Sequence, residues 1–330
     1  LFLSELRWNP FLKDWVMIAG NRQGRPQMPK DFCPFCPRFG KVPDYEVLKY
    51  DNDFPALTQN PPEPDPVATG FFKTRPSYGK CEVILYSPGH TATLQELSDG
   101  HLEKLVNLWC ERFEALSADE KVKYVFPFEN RGDVVGVTMP HPHGQIYAYS
   151  YVPKKLELET AAAREYYEEQ GSCLFCVQLK NEIQEQKRLV FQNEYFTVFL
   201  PFYTEYPYGV QIMANRHVPV LTGLTPAERR ALGTTLRDTV GMLDSLFGYR
   251  FPYMMCMHNA PVNSGDYSRD YHFHIEFYPP MRSADKQKFN ASSETGAWAC
   301  CNPTCPEETA AELRAAYERY RAAEKEIRRS

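Results

Sequence analysis

One order of residues occurs twice in this chain and restricts its fold more than any other feature. Cys33-Pro-Phe-Cys36 is followed by His90 and then by His141-Pro-His143. Cys173-Leu-Phe-Cys176 is followed by His217 and then by His272-Phe-His274, at broadly similar intervals. A chemical order repeated on this scale reads as two copies of one unit. The boundary falls near residues 153–172, giving halves of 1–155 and 156–330. A chain of 330 residues is long enough for two packed units.

Alternating or aromatic-rich runs predict strands over residues 14–19, 82–87, 122–128, 144–152, 195–201, 209–214, 253–257 and 271–278. Longer periodic segments predict helices over 94–116, behind a capping Thr93, and over 225–246. The second of these opens Thr-Pro-Ala-Glu, with proline at the first helical position. The charged stretches 156–169 and 307–327 also favour helix, and the proline-rich residues 59–74 form a loop. The fold class is α+β, with a mostly antiparallel sheet and long covering helices.

The repeat carries chemistry at four places. His141, His143 and Gln145 alternate along a predicted strand, so all three share one face. A neutral imidazole is a nucleophile toward phosphorus at pH 7, because its ordinary pKa is about 6.5. A lone His-x-His is more often a structural pair at a strand start. Cys33 and Cys36 have the commonest zinc spacing, which His90 and His141 could complete as a tetrahedral set; the alternative is a pair of buried thiols beside a turn. With His141 held in that set, His143 stands fixed beside it. His258, His272 and His274 form a third cluster, suited with a carboxylate to iron or zinc. The parallel between the halves also permits a second zinc set from Cys173, Cys176, His217 and His272. That set competes with the third cluster for His272, and otherwise His217 serves a structural hydrogen bond. The fourth group would handle phosphate: Arg22 and Arg25 present guanidinium forks, and Arg282 and Lys288 add charge. Asp51-Asn52-Asp53-Phe54 suits a base or ribose, or an ordinary Asx turn.

Composition excludes several classes. A net charge of −5 argues against general nucleic-acid binding, which needs a broad basic surface. No apolar run approaches the roughly 18 residues needed to span a bilayer. The opening Leu-Phe-Leu-Ser-Glu-Leu-Arg shows neither a basic leader nor a cleavage site, so no export signal is expected. Ten cysteines without such a signal favour metal or redox roles over disulfides. The cytoplasm is the expected compartment.

Six ordered motifs then point to a family: Arg-Trp-Asn-Pro-Phe-Leu-Lys-Asp-Trp-Val at 7–16, Asp-Asn-Asp-Phe-Pro-Ala-Leu at 51–57 and Ser-Pro-Gly-His at 87–90, then Glu-Asn-Arg-Gly at 129–132, His-Pro-His-Gly-Gln at 141–145 and His-x-His-x-x-Phe-Tyr-Pro-Pro at 272–280. Over nearly its whole length the chain resembles the galactose-1-phosphate uridylyltransferases of the histidine-triad superfamily. The resemblance implies duplicated histidine-triad-like halves and ping-pong transfer of UMP from UDP-glucose to galactose 1-phosphate. His143 would be the nucleophile, and Gln145 would steady the phosphoryl oxygens where superfamily hydrolases carry another histidine. It implies zinc on Cys33, Cys36, His90 and His141, and iron or zinc on Glu159, His258, His272 and His274. Nucleotide contacts would come from Arg22, Arg25, Asn52, Asp53, Asn130, Gly136, Thr138 and Gln145. Lys288, Phe289 and Glu294 resemble the sugar-phosphate segment, although Ser293 replaces a tyrosine of the family pattern. A homodimer with sites built from both subunits is implied as well. The alternatives are a related nucleotidyltransferase or phosphorylase acting on another sugar 1-phosphate, on ADP-sugars or on dinucleoside polyphosphates, and a zinc-stabilised nucleotide-binding protein without turnover.

Overall fold

A computed structural model of the chain describes residues 4–20 and 32–327. The first half runs through β1 (Ser4–Asn9), β2 (Asp14–Ala19), β3 (Leu48–Asp51), β4 (Thr74–Pro76), β5 (Gly79–Leu85), α1 (Asp99–Ser117), β6 (Tyr124–Arg131) and β7 (His143–Tyr149). The second half continues with α2 (Lys154–Gln170), α3 (Leu174–Glu185), β8 (Leu189–Gln192), β9 (Phe196–Phe199), β10 (Gln211–Ala214), α4 (Pro226–Phe247), β11 (Tyr253–His258), β12 (His274–Tyr278), α5 (Ser292–Ala297) and α6 (Pro306–Ile327). No helix among the described residues is long and apolar enough to cross a membrane.

Besides the short elements β1, β3, β4, β8 and α5, which no prediction covered, two local outcomes differ from the sequence expectation. The helix predicted from residue 94 breaks early: a 3-10 turn at Leu94–Glu96, tied by the Thr93 N–H to the Glu96 carboxylate, comes first. Ser98 then caps α1 by accepting the His101 N–H. Ser98, three residues before His101, offers a better cap than a continuous turn through Leu97. The other difference is α3, which lies in a stretch with no helical prediction and takes Cys173 as its N-cap residue. At α4 the expectation holds, with Thr225 and Glu228 exchanging hydrogen bonds as a capping box and Pro226 opening the helix.

Strands of both halves form one sheet, ordered β3-β5-β7-β6-β11-β12-β10-β9-β8, with every pairing antiparallel. A single row crosses its centre: Gln145 faces Phe128, Phe128 faces Cys256, and Cys256 faces Glu276. The two halves therefore meet at β6 and β11 about a local two-fold normal to the sheet. That operation exchanges β7 with β12, Gln145 with Glu276 and His143 with His274.

Alternation assigns the faces. On one face Ile84, Val125, Ile146, Met255, Ile275 and Phe277 pack in the main core with the buried side of α1 and α4. The apolar stripe of α1, from Leu102 through Leu105, Trp109 and Phe113 to Leu116, recurs at the three- and four-residue spacing that such a contact requires. The other face carries His143, Gln145, Phe128, Asn130, His258, His274 and Glu276. It is covered in parts by a three-stranded sheet, β2-β1-β4, by the Cys33–Cys36 loop and by α3.

Candidate active site and metal centres

His143 opens β7 at the end of the sheet where β6 stops. Its Nδ1 lies 2.7 Å from the His141 carbonyl oxygen. A carbonyl only accepts, so Nδ1 carries the proton and the ring's lone pair is on Nε2. His143 and Asn130 line an open cavity with Arg131, Gly132, Met139, Arg250 and Tyr253. Gln145 follows two residues along the same face, opposite Val83 and Phe128. Gly144 is required between them, because a Cβ there would sit 2.2 Å from the Tyr86 hydroxyl.

His141 turns inward to a group of Cys33, Cys36, His90 and His141 whose ligand atoms lie within 4.8 Å of one another. Its Nδ1 is 3.6 Å from both sulfurs, and Nδ1 of His90 is 3.4 Å from Cys36. Tetrahedral zinc with these ligands needs about 3.4–3.8 Å between donor atoms. The Ser87 carbonyl accepts from Nε2 of His141 at 2.8 Å, which leaves Nδ1 unprotonated, with its lone pair facing the space between the sulfurs. Burial lowers the His141 pKa to about 4, so the ring is neutral at pH 7, as a metal ligand must be. Phe35, between the two cysteines, places its ring 5.9 Å from His141 and 6.0 Å from His143.

In the second half the histidines divide differently from the expectation. His272 is not with Glu159, His258 and His274. It turns to Cys173, Cys176 and His217, and the carboxylate group is completed by Glu276. The physical reason is strand alternation across a boundary. His272 precedes β12 and points into the loop layer, as His141 does before β7, whereas His274 and Glu276 lie on β12 itself. Nδ1 of His258 is 3.0 Å from Glu159, and Nε2 of His274 is 3.6 Å from both Glu159 and Glu276. Burial works against charge on Glu159, but His258 and His274 outweigh it and hold the carboxyl below its usual range. His274 is likewise disfavoured as a cation by burial, yet the Glu276 and Glu159 carboxylates raise it. The group lines a second open cavity with Lys155, Tyr203, Tyr206 and Tyr278. Glu276 went unrecognised in the sequence, although its signal was present: it stands two residues past His274, as Gln145 stands two past His143.

The remaining candidates scatter. Asn52 closes an Asx turn onto the Phe54 N–H at 2.9 Å, and Asp53 accepts from Lys41 and Tyr50. Gly136 ends a short turn at φ +78°, and Thr138 is exposed in the loop before β7. Lys288 is buried against the Tyr206 ring and Asn290, and Glu294 accepts from the Ala291 N–H. Phe289 is 70% exposed. Neither Lys288, Phe289 nor Glu294 lines the cavity at His143. Arg22 and Arg25 lie outside the described residues.

Glu129 was also missed. It is buried in the wall of the His143 cavity, on the helix-covered face, and accepts from the Tyr253 hydroxyl at 3.0 Å. Burial raises its pKa to about 7, against the pull of Arg131. No periodicity distinguishes such a glutamate from an exposed one, because its burial arises from tertiary packing beside Tyr253 rather than from local sequence.

Residues 3–153 match the family described as galactose-1-phosphate uridyl transferase, N-terminal domain, and residues 159–320 match its C-terminal domain. The galactose-1-phosphate uridylyltransferase of Thermotoga maritima is 41% identical, across 94% of this chain and 98% of that protein. Its counterpart from Haemophilus influenzae is 32% identical, across 87% of each. A solved uridylyltransferase structure superimposes with a TM-score of 0.87 at 34% identity, covering 96% of this chain and 99% of that one.

Proposed function

This chain belongs to the galactose-1-phosphate uridylyltransferase family, and we propose that it performs the family's transfer of UMP from UDP-glucose to galactose 1-phosphate at the β7 end that carries His143. Nε2 of His143 attacks the α-phosphorus of UDP-glucose. A P–N bond forms, the bond from that phosphorus to the bridging oxygen breaks, and glucose 1-phosphate leaves. The ring gains positive charge as the new bond forms, and the His141 carbonyl, 2.7 Å from Nδ1, stabilises the proton kept there. A phosphate oxygen of galactose 1-phosphate then displaces the histidine and yields UDP-galactose. The covalent intermediate divides one displacement into two. Gln145, two residues along the same face, donates its amide to the phosphoryl oxygens as charge develops on them.

The observation that carries this reading is the fixed ring of His143. Its neighbour His141 belongs to a four-donor group whose spacing fits zinc, and a metal closed by four protein ligands serves structure. Zinc bound there would fix the strand end and lend no group to the reaction. For the second ion, iron or zinc, we assign Glu159, His258, His274 and Glu276, a set of two imidazoles and two carboxylates suited to either. Nucleotide contacts are assigned to Arg22, Arg25, Asn52, Asp53, Asn130, Gly136, Thr138 and Gln145. Lys288, Phe289 and Glu294 are assigned to the sugar phosphate in the partner subunit's site of a homodimer, which accounts for the exposed Phe289. Ten free cysteines, seven of them buried or partly buried, suit a reducing compartment such as the cytoplasm.

The test is intact-mass analysis after mixing with UDP-glucose. A uridylyl-sized gain that His143→Ala abolishes is the expected result. Turnover without any adduct would mean direct transfer and a different catalytic group.

A further inference from the structure

We propose that Cys173, Cys176, His217 and His272 bind a second structural Zn2+, separate from the carboxylate cluster on β12. The four ligand atoms lie within 4.8 Å of one another. Cys176 Sγ is 3.2 Å from Nδ1 of His217 and 3.4 Å from Nδ1 of His272. These separations approach the roughly 3.4–3.8 Å between donor atoms of tetrahedral zinc. Two soft thiolates with two imidazoles select zinc over magnesium or calcium.

Orientation supports the assignment independently. Nε2 of His217 lies 2.9 Å from the Ser268 carbonyl, so it carries the proton and Nδ1 faces Cys176 as an acceptor. This is the arrangement that the Ser87 carbonyl imposes on His141 in the first half. The rings correspond as well: His90 and His141 stand 5.6 Å apart at 64°, and His217 and His272 stand 5.4 Å apart at 66°. Phe175 takes the place of Phe35, with its ring 5.1 Å from His274. The two-fold that relates His143 to His274 thus relates one four-donor group to the other.

The site has a definite mechanical use. Cys173 and Cys176 belong to the first turn of α3, His217 to the loop after β10, and His272 to the residues entering β12. One ion would bind all three segments and hold Phe175 against Tyr271 over the β12 cluster. His272 is thereby committed, and His274 enters the neighbouring cavity alone.

The full-length protein and two variants test this by zinc content, measured with inductively coupled plasma mass spectrometry. Cys173→Ser/Cys176→Ser and Cys33→Ser/Cys36→Ser should each lose one zinc equivalent per chain. Reconstituted with cobalt(II), the wild type should show about twice the thiolate-to-cobalt absorption of either variant, because each site contributes two thiolates. Unchanged zinc and unchanged absorption in Cys173→Ser/Cys176→Ser would overturn the site. Should that variant fail to fold, alkylation mapping of the wild type decides. Cys176 should be protected in the zinc-loaded protein and become reactive as chelation releases the second equivalent. A reaction rate indifferent to chelation, or a Cys173–Cys176 disulfide in the freshly purified protein, would overturn the proposal equally.

Discussion

Replacing Glu129 by glutamine should flatten the pH dependence of stability. The carboxyl is buried, and its pKa rises from 4.5 to about 7, chiefly through that burial. The folded chain therefore holds this proton more tightly than the unfolded chain does. The sign follows directly: the contribution is complete below pH 4.5 and is lost as pH rises through 7. At 1.36 kcal/mol per unit, the full interval is worth about 3 kcal/mol, and about 2.5 kcal/mol of it falls between pH 5 and pH 8.5. Glutamine keeps the shape and an oxygen to accept from Tyr253, and it carries no charge to desolvate. Urea unfolding of wild type and Glu129→Gln at pH 5, 7 and 8.5 measures the effect. The variant should gain on the wild type by about 2.5 kcal/mol across that range. Parallel profiles for the two proteins would refute the buried, late-titrating carboxyl.

Four further outcomes are expected. Gly144→Ala would drive a Cβ into the buried Tyr86 hydroxyl and to 3.0 Å from the Phe128 carbonyl oxygen, costing about 1–3 kcal/mol in urea unfolding. Arg131→Leu would strip both guanidinium hydrogen bonds from Asp244 and leave a buried carboxylate with the Phe251 N–H as its remaining donor, a loss of about 3–5 kcal/mol by the same measurement. Gln145→Glu should slow adduct formation with UDP-glucose in rapid-quench experiments about 100-fold or more, because an amide donor becomes an anion beside a phosphate. Phe289→Ala should raise KM for the hexose 1-phosphate while the mass adduct with UDP-glucose still forms, and an unchanged KM would remove Phe289 from the sugar site.

Much of the fold was legible, because strand and helix periods depend on local sequence. The strands that became β2, β5, β6, β7, β9, β10, β11 and β12 all arise inside or beside segments read as extended. The break before α1 and the whole of α3 were not legible. A cap and a helix of 12 residues rest on which serine or cysteine captures the chain, and several positions compete. The candidate site divides along the same line. Cys33, Cys36, His90 and His141 do come together, since each was identified by donor chemistry and the repeat limits their pairing. His272 was misassigned because sequence gives no sign of where a strand begins, and two residues of alternation decide which cluster it joins. Glu129 was missed because tertiary burial, not residue type, makes it unusual.

The duplicated site also explains why two halves with the same donors need not share one chemistry. The sheet row through Gln145, Phe128, Cys256 and Glu276 sets the residues beside His143 and His274 in equivalent positions. Only their charge differs. Beside His143 stands a neutral amide, able to donate to an anionic phosphoryl group. Beside His274 stands a carboxylate, joined by Glu159 from α2, and together they oppose any phosphate that approaches. The same pair attracts a cation, and with one bound there the Nε2 lone pair of His274 would be committed to the ion and withheld from phosphorus. On these proposed assignments, the change from Gln to Glu, with one acidic residue on a neighbouring helix, separates a nucleophile's setting from a metal's.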